Sequence, residues 1–218
     1  MTTDVTYTAL EFCTEALREC GVVGIRRAAS AAEEAVALKR LNMMLKAWQN
    51  TGITVWKQTS ASITVTDATA SYAIASRPIR IETVNRKDGN ETWLTPVTRQ
   101  EYNELPDKAS AGTTSSFYYH RQRDQGLLHV WPVPATGVGT LEWSGTAEVE
   151  DITSGTDVMD IPSEWYEATH YGLAYRLLGA FPSITEARAQ FITINAQRAY
   201  SDAKGNDIED SVTFSAGH

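Results

Sequence analysis

The architecture of this chain follows most directly from residues 160–178, which read DIPSEWYEATHYGLAYRLL. Pro162 and Ser163 lead into a helical run, so we predict a helix that Ser163 caps and that ends at about Ala180, before Pro182. Apolar side chains cover a wide arc of this helix, too wide for one buried face, so a single intramolecular partner cannot cover it. The arc consists of Trp165, Tyr166, Ala168, Tyr171, Leu173, Ala174, Leu177, Leu178 and Phe181.

Two helices are predicted near the N-terminus, and we expect them to pair. Residues 7–20 place apolar side chains at helical spacing, and Gly21 follows where that helix should end. After the connector GVVGIRRAA at 21–29, Ser30 and Glu33 form a capping-box pattern at the start of a second helix. Its last turns lie in LNMMLKAWQNTG at 41–52, which then turns into a strand. One apolar stripe runs down the helix through Leu38, Leu41, Leu45 and Trp48.

The middle of the chain changes to short segments rich in β-branched and aromatic residues. One of them, LHVWPVP at 128–134, is a strand stopped by two prolines. The turn sequences KDGN at 87–90 and DQG at 124–126 separate neighbouring strands. A brief helix is predicted at 99–105, where Thr98 and Glu101 repeat the capping-box pattern. The predicted strands are 53–57, 62–66, 71–74, 79–85, 91–97, 117–121, 127–131 and 140–148.

Helical period returns after Asp160, and Ser183 with Glu186 predicts the start of a last helix that ends near Gly205. We therefore predict an α+β fold, in which a helical bundle built from the N-terminal and C-terminal helices carries a central β-rich insertion. The predicted domains are residues 1–52 with 160–205 for the bundle and 53–159 for the insertion. Residues 206–218, NDIEDSVTFSAGH, form an acidic tail that is either frayed or docks on a partner.

The charge and the cysteines exclude several classes of function. A net charge of −8 and a pI of about 5.0 argue against a protein that reads DNA sequence, because such proteins carry a concentrated basic face. DNA could still slide past an acidic wall, which lowers adhesion by repulsion. Cys13 and Cys20 lie two turns apart on a predicted helix, beyond disulfide reach, so we expect buried thiols and a reducing compartment. No segment approaches the length of a membrane span, and we expect no membrane association.

No motif for a metal, a nucleotide or a nucleophile stands in the sequence. His120 and His129 could meet across a hairpin, but no third ligand stands at a metal-ligand spacing, so we predict no metal and no cofactor. Paired carboxylates are the one enzymatic alternative, because a peptidoglycan hydrolase needs only two acids at a fixed separation. The candidate pairs at helical spacing are Glu101 with Glu104 and Glu164 with Glu167, although acids in a first helical turn also complement the helix dipole.

The tryptophans leave a second alternative open. Trp48 and Trp165 fall on predicted helices among apolar neighbours, where a core position is expected. Four others fall on strands, where alternation could turn some outward as partner anchors or as a stacking platform for a carbohydrate-binding module. These four are Trp56, Trp93, Trp131 and Trp143.

Seven short segments, in one order along the chain, resemble a known protein family. They are WQNTG (48–52), ITVW (53–56), EY (101–102), FYY (117–119), WPVP (131–134), IPSEW (161–165) and YGLA (171–174). In this order and spacing, over about residues 7–203, they resemble the tail accessory factors of short-tailed bacteriophages, also called packaged-DNA stabilisation or head-to-tail adaptor proteins. The resemblance implies a structural virion neck protein, made in the host cytoplasm and located at the head-to-tail junction, and not an enzyme.

The resemblance also implies the partners. Such a protein joins the portal as a dodecameric ring of its own, extends the DNA channel, helps to retain packaged DNA and offers a platform to the next tail protein. The DNA passes through without sequence-specific binding. We expect Val212 and Phe214 to dock the tail, Arg26 and Arg27 to meet an acidic neighbour or nearby DNA, and the helix that carries Trp165 and Tyr171 to contact neighbouring copies.

Overall fold

The computed structural model describes residues 6–50 and 57–206 of the 218-residue chain. These residues form a mixed α+β structure with five helices and several sheets, which confirms the α+β part of the predicted fold class. The chain divides into two compact units, a helical unit of residues 1–53 and 150–218 and a β unit of residues 54–149.

Four of the five helices belong to the helical unit, and α3 belongs to the β unit. A 3-10 turn, Ser163–Trp165, directly precedes α4. The helices are α1 (Ala9–Glu19), α2 (Ala31–Asn50), α3 (Arg99–Glu104), α4 (Tyr166–Leu177) and α5 (Glu186–Asn206).

The helix ends follow local side-chain chemistry. Ser30 and Glu33 form the predicted reciprocal pair at the start of α2, since Ser30 N–H donates to the Glu33 carboxylate at 2.7 Å and Glu33 N–H donates to Ser30 Oγ at 3.4 Å. The pattern at Thr98 is also confirmed as the cap of α3. Thr8 caps α1 in the same way. Gly21 ends the first helical segment with φ +73°, a conformation that costs glycine little.

Two predicted caps are wrong. Ser163 is the first residue of the 3-10 turn and makes no capping hydrogen bond, because the backbone of Pro162 holds the N-cap position. Ser183 lies in a turn, and α5 begins only at Glu186. In both places the chain first makes a tight turn, and the α-helix begins three residues after the serine, at Tyr166 and at Glu186.

Helix α4 is the centre of the helical unit, because α1, α2 and α5 all pack against it. Three helices of the same chain thereby bury much of its wide apolar arc. Leu173, Ala174 and Leu177 are fully buried, whereas Tyr171 and Leu178 stay half-buried. Residues 150–159 also make their contacts with this unit. The Asn42 side chain exchanges two hydrogen bonds of 2.9 Å with the backbone of Ile152.

The β unit contains two four-stranded sheets and a two-stranded one. The sheet orders are β1-β10-β3-β4, β2-β8-β7-β5 and β6-β9. Pairing is antiparallel except for β5 with β7 and β6 with β9. The strands are β1 (Gln58–Thr64), β2 (Ser71–Ile74), β3 (Arg80–Lys87), β4 (Glu91–Trp93), β5 (Thr95–Pro96), β6 (Ala111–Gly112), β7 (Ser116–Arg121), β8 (Gly126–Trp131), β9 (Val133–Pro134) and β10 (Thr140–Thr146).

One core joins the two larger sheets. Val84 and Trp143 come from the first sheet, and Phe117, Leu128 and Val130 come from the second; all five are buried in one cluster. The alternation of buried and outward residues fixes the register, so that Tyr118 faces His129 across β7 and β8.

Most predicted strands are present with shifted ends. The predicted strand at 62–66 is the later part of β1, which starts at Gln58, and the predicted strand at 91–97 is divided into β4 and β5. The predicted strand at 53–57 falls mostly outside the described residues. The short pair β6 and β9 has no counterpart among the predicted strands, because two-residue segments carry no alternation that a sequence pattern could show.

Candidate functional site

A surface groove of about 280 Å³ lies between α2, α4 and α5. Met44 and Trp48 of α2 and Tyr200 of α5 form its apolar wall, with the Trp48 and Tyr200 ring centroids 5.7 Å apart. Gly172 permits this arrangement, because a Cβ there would lie 3.0 Å from both Met44 Sδ and Trp48 Cζ2. Arg176 is the cation in the lining, and within the described residues no carboxylate lies within ion-pair distance of it. The groove therefore combines an apolar wall with a positive charge that has no ion-pair partner among the described residues.

Two stripes of exposed apolar side chains lie on different helices of the same unit. The α5 stripe consists of Phe191 and Ile194, which are 52% and 65% exposed. The α2 stripe consists of Val36 and Met43, which are two helical turns apart on the outer side of α2 and are also exposed. Exposed apolar side chains grouped in this way are typical of contact surfaces.

The connector between α1 and α2 presents an isoleucine to solvent. Ile25 is 88% exposed, at a turn closed by a hydrogen bond from Arg27 N–H to the Gly24 carbonyl. Arg26 is exposed, as a contact with an acidic partner requires. Arg27 is engaged within the chain, because its guanidinium donates to Glu33 Oε1 at 2.7 Å; this bond, with the Ser30 hydrogen bonds, lowers the pKa of Glu33 to about 2. Of the two arginines, Arg26 is thus the one available to a partner.

Trp165 lies in the interior of the helical unit. Its side chain is 2% exposed and packs against Trp48 and Tyr200, with ring centroids 5.4 and 6.2 Å apart. It therefore offers no surface to a second protein, and we do not retain it as a partner contact. Tyr171 is half-buried, with its ring 6.4 Å from that of Phe191 beside the α5 stripe, and burial raises the pKa of its hydroxyl.

The three strand tryptophans within the described residues differ in their exposure. Trp143 is buried in the core, and Trp131 donates its indole N–H to the Asp107 carbonyl at 3.0 Å. Trp93, on the short edge strand β4, is 63% exposed. Trp56 lies outside the described residues, as do Val212 and Phe214.

The two strand histidines meet, as the hairpin allows, inside a stack of aromatic rings. His120 and His129 have ring centroids 6.3 Å apart, and Tyr118 stacks on both at 6.0 and 5.6 Å. Tyr102 of α3 stacks on Tyr118 at 5.5 Å, and Lys108 lies 5.8 Å from the Tyr102 ring centroid. Burial, with the nearby His120, lowers the pKa of His129. The stacking places part of each ring against another ring of the same unit, and Tyr118, His120 and His129 remain half-buried.

Three acidic residues of the predicted pairs and both cysteines have positions that the structure describes. Glu101 accepts a hydrogen bond from Thr98 N–H at 2.6 Å as part of the α3 cap, which lowers its pKa. Glu164 and Glu167 are both on the exposed side of their helical segment. Burial raises the pKa of Cys13 to about 12 and that of Cys20 to about 11, so both thiols are protonated at neutral pH. The prediction of buried, unpaired thiols is confirmed.

Across residues 6–50 and 57–206, no three His, Cys, Asp or Glu side chains come together as a metal would require. In the same ranges, no helix has the length and apolarity needed to cross a bilayer.

The sequence pattern did not predict the groove, the two exposed stripes or the exposure of Ile25. The groove depends on three helices meeting at Gly172, which no local spacing shows. In the connector sequence, Ile25 is an apolar residue next to two arginines, and this pattern is a signal from which its exposure could have been predicted.

Comparison with known proteins adds one finding. The model of the SU10 adaptor protein family matches residues 7–214. No curated protein matches the chain significantly.

Proposed function

The chain belongs to the SU10 adaptor protein family, a family of phage head-to-tail adaptors, and we propose on this premise that it forms a ring on the portal in the virion neck. The match over residues 7–214 is the observation that carries the proposal. In this role the protein is a structural virion component. The dodecameric ring extends the DNA channel, helps to retain the packaged genome and provides the attachment platform for the next tail protein.

The surface of the helical unit supports a ring. In a cyclic ring each copy uses one face toward its neighbour on one side and a different face toward the other. The α2 stripe and the α5 stripe are two such faces on separate helices. We propose that the helical unit is the bundle that forms the ring, with the α5 stripe of one copy against the α2 stripe of the next.

The charge supports a passage for DNA without sequence reading. The chain carries a net charge of −8, so its average surface repels phosphate and lets a duplex move past. The exposed Arg26 is then better suited to an acidic protein neighbour than to a DNA site, because one cation releases few counterions.

The residues that the structure describes give less support to the two alternative functions. A hydrolase needs paired carboxylates in a cleft, whereas Glu101 is committed to a helix cap and Glu164 and Glu167 are exposed on a surface. A carbohydrate-binding module needs aromatic faces open to sugar rings. In the described β unit the aromatic faces around Tyr118 are stacked on one another, and Trp143 is buried.

Sedimentation velocity and negative-stain imaging of the protein, alone and mixed with portal rings of the same phage, test the proposal. We expect the chain to join the portal as a second ring. A protein that ignores portal rings, and instead clears cell walls or retains glycans, would refute it.

A charge introduced into the α5 stripe tests whether this stripe contacts the neighbouring copy in the ring. Ile194→Asp should leave the helical unit folded, because Ile194 faces solvent, and should prevent ring formation on the portal. Val138→Asp, at an exposed apolar residue of the β unit, is the matched control and should assemble normally. Normal rings with Ile194→Asp would remove the α5 stripe from the interface.

A further inference from the structure

The groove between α2, α4 and α5 has the size of a side-chain site. Its volume of about 280 Å³ is at the lower limit of the ~300–1,000 Å³ typical of small-molecule sites, so it suits one or two apolar side chains. The wall formed by Met44, Trp48 and Tyr200 is apolar, and Arg176 supplies a positive charge without a carboxylate partner in the described part of the chain. A fitting occupant is therefore an extended segment that carries a large apolar side chain and acidic residues.

The C-terminal segment, residues 207–218, has this composition. It reads DIEDSVTFSAGH, with three acidic residues followed by Val212 and Phe214. The family match runs through residue 214, so it includes both apolar residues. The segment begins where α5 ends, at Asn206.

The order of Arg176 and the aromatic residues along the groove distinguishes the chain's own C-terminal segment from that of a neighbouring copy. Trp165, just before α4, lies against Tyr200 late in α5, whereas Tyr171 lies against Phe191 early in α5, so the two helices are antiparallel. Arg176 comes after Tyr171 and therefore lies toward the start of α5, away from Asn206.

A segment that folds back from its own α5 would meet the aromatic end of the groove first and Arg176 last. Its acidic residues, which precede Phe214, would then lie far from the cation. A segment that enters from the opposite end places its acidic residues beside Arg176 and Phe214 over Trp48 and Tyr200. The chain's own segment starts at the Tyr200 end, so it would have to pass along the whole groove before it could enter from the Arg176 end. A segment from another chain can enter from the Arg176 end directly.

We propose that residues 207–218 of one copy bind the groove of the next copy, with Phe214 against Trp48 and Tyr200 and with acidic residues beside Arg176. The contact rests on the proposed ring, which holds the two copies together. It is small, and a free peptide would not offset the lost translational freedom. In a closed ring the effective concentration of the segment at the neighbouring groove is high, and each copy gives one segment and receives one.

Cysteine cross-linking tests the contact. Ser215→Cys, next to Phe214, is combined with Gln197→Cys, an exposed residue that lines the groove. The native thiols do not compete, because they are buried and their pKa values are raised. The control combines Ser215→Cys with Asp202→Cys, which is nearer the segment along the chain but, by helical periodicity, on the flank of α5 away from the groove.

Oxidation of rings assembled on portal should link the Gln197→Cys chains into covalent ladders. The yield should be at least about tenfold higher than with the Asp202→Cys control, as expected when docking raises local concentration into the millimolar range. Adding Phe214→Ala to the first pair should remove most of the ladder.

The other outcomes separate two kinds of failure. Rings that form normally but give no ladder, or equal ladders in both pairs, overturn the groove contact and leave the adaptor role intact. A fast disulfide within single chains of the free protein would assign the groove to the chain's own segment and would also overturn the proposal. If no ring forms on the portal, both the proposed function and the inference fail.

Discussion

Replacing Trp165 with alanine should strongly destabilise the helical unit. The indole is 2% exposed, sits just before α4 and touches the rings of Trp48 and Tyr200. Truncation removes those contacts and leaves a cavity among three helices, at a cost of about 3–5 kcal/mol. For a chain of this length each kcal/mol lowers Tm by ~2–4 °C, so we expect a fall of roughly 6–20 °C.

Far-UV circular dichroism measures this change, because four of the five helices belong to the helical unit. Because the chain divides into two compact units, the far-UV signal of the helices is analysed as a transition of its own. Trp93→Ala is the matched control: that indole is 63% exposed, and its loss should change stability by less than about 0.5 kcal/mol. If Trp165→Ala and Trp93→Ala melt alike, the burial of Trp165 and the packing around α4 are wrong.

For two further perturbations the structure predicts the direction of the change in stability. Gly21→Ala should cost roughly 1–2 kcal/mol, because φ is +73°, a conformation that a residue with a Cβ rarely adopts, whereas the Arg188 guanidinium beside it can move away. Gly24→Ala, with open space around it, should melt as the parent does, and equal melting of both variants would contradict the strain. The pKa of His129 is lowered from 6.5 by burial and by His120, so the folded state disfavours its protonation. The unfolded chain takes up that proton first as pH falls below about 6.5, so the β unit should lose stability from pH 7.5 toward pH 5. His129→Gln should flatten this slope in thermal melts, and an unchanged slope would assign the pH dependence to another group.

The helix caps show what a short segment can specify. Ser30 with Glu33 and Thr98 with Glu101 were predicted from a three-residue spacing, and both pairs form their reciprocal hydrogen bonds. The same spacing failed at Ser183, where a turn occupies the residues before α5. A capping box stabilises a helix N-terminus only where the conformation of the preceding backbone allows the helix to begin. The spacing of the Ser and Glu residues does not show that conformation.

The surfaces were harder to predict than the elements. The sequence singled out Trp165 for a partner because its helix is apolar nearly all round, but the helices α1, α2 and α5 use that surface within the chain. Conversely, Phe191 and Ile194 stood in an ordinary helical pattern, and the structure leaves both exposed. Which apolar face remains open depends on how many helices surround it, and that number is not a local property.

The sequence by itself determined the α+β class, the positions of most helices and strands, the buried thiols and a resemblance to phage adaptors. These properties rest on period, turn chemistry and residue order, which act over a few residues or along the whole chain. Tertiary structure decided that α4 is central, that Trp48, Gly172 and Tyr200 enclose a groove, and that Arg27 is paired while Arg26 is exposed. Those outcomes depend on side chains far apart in sequence competing for the same space and the same charges, and only the packed chain resolves that competition.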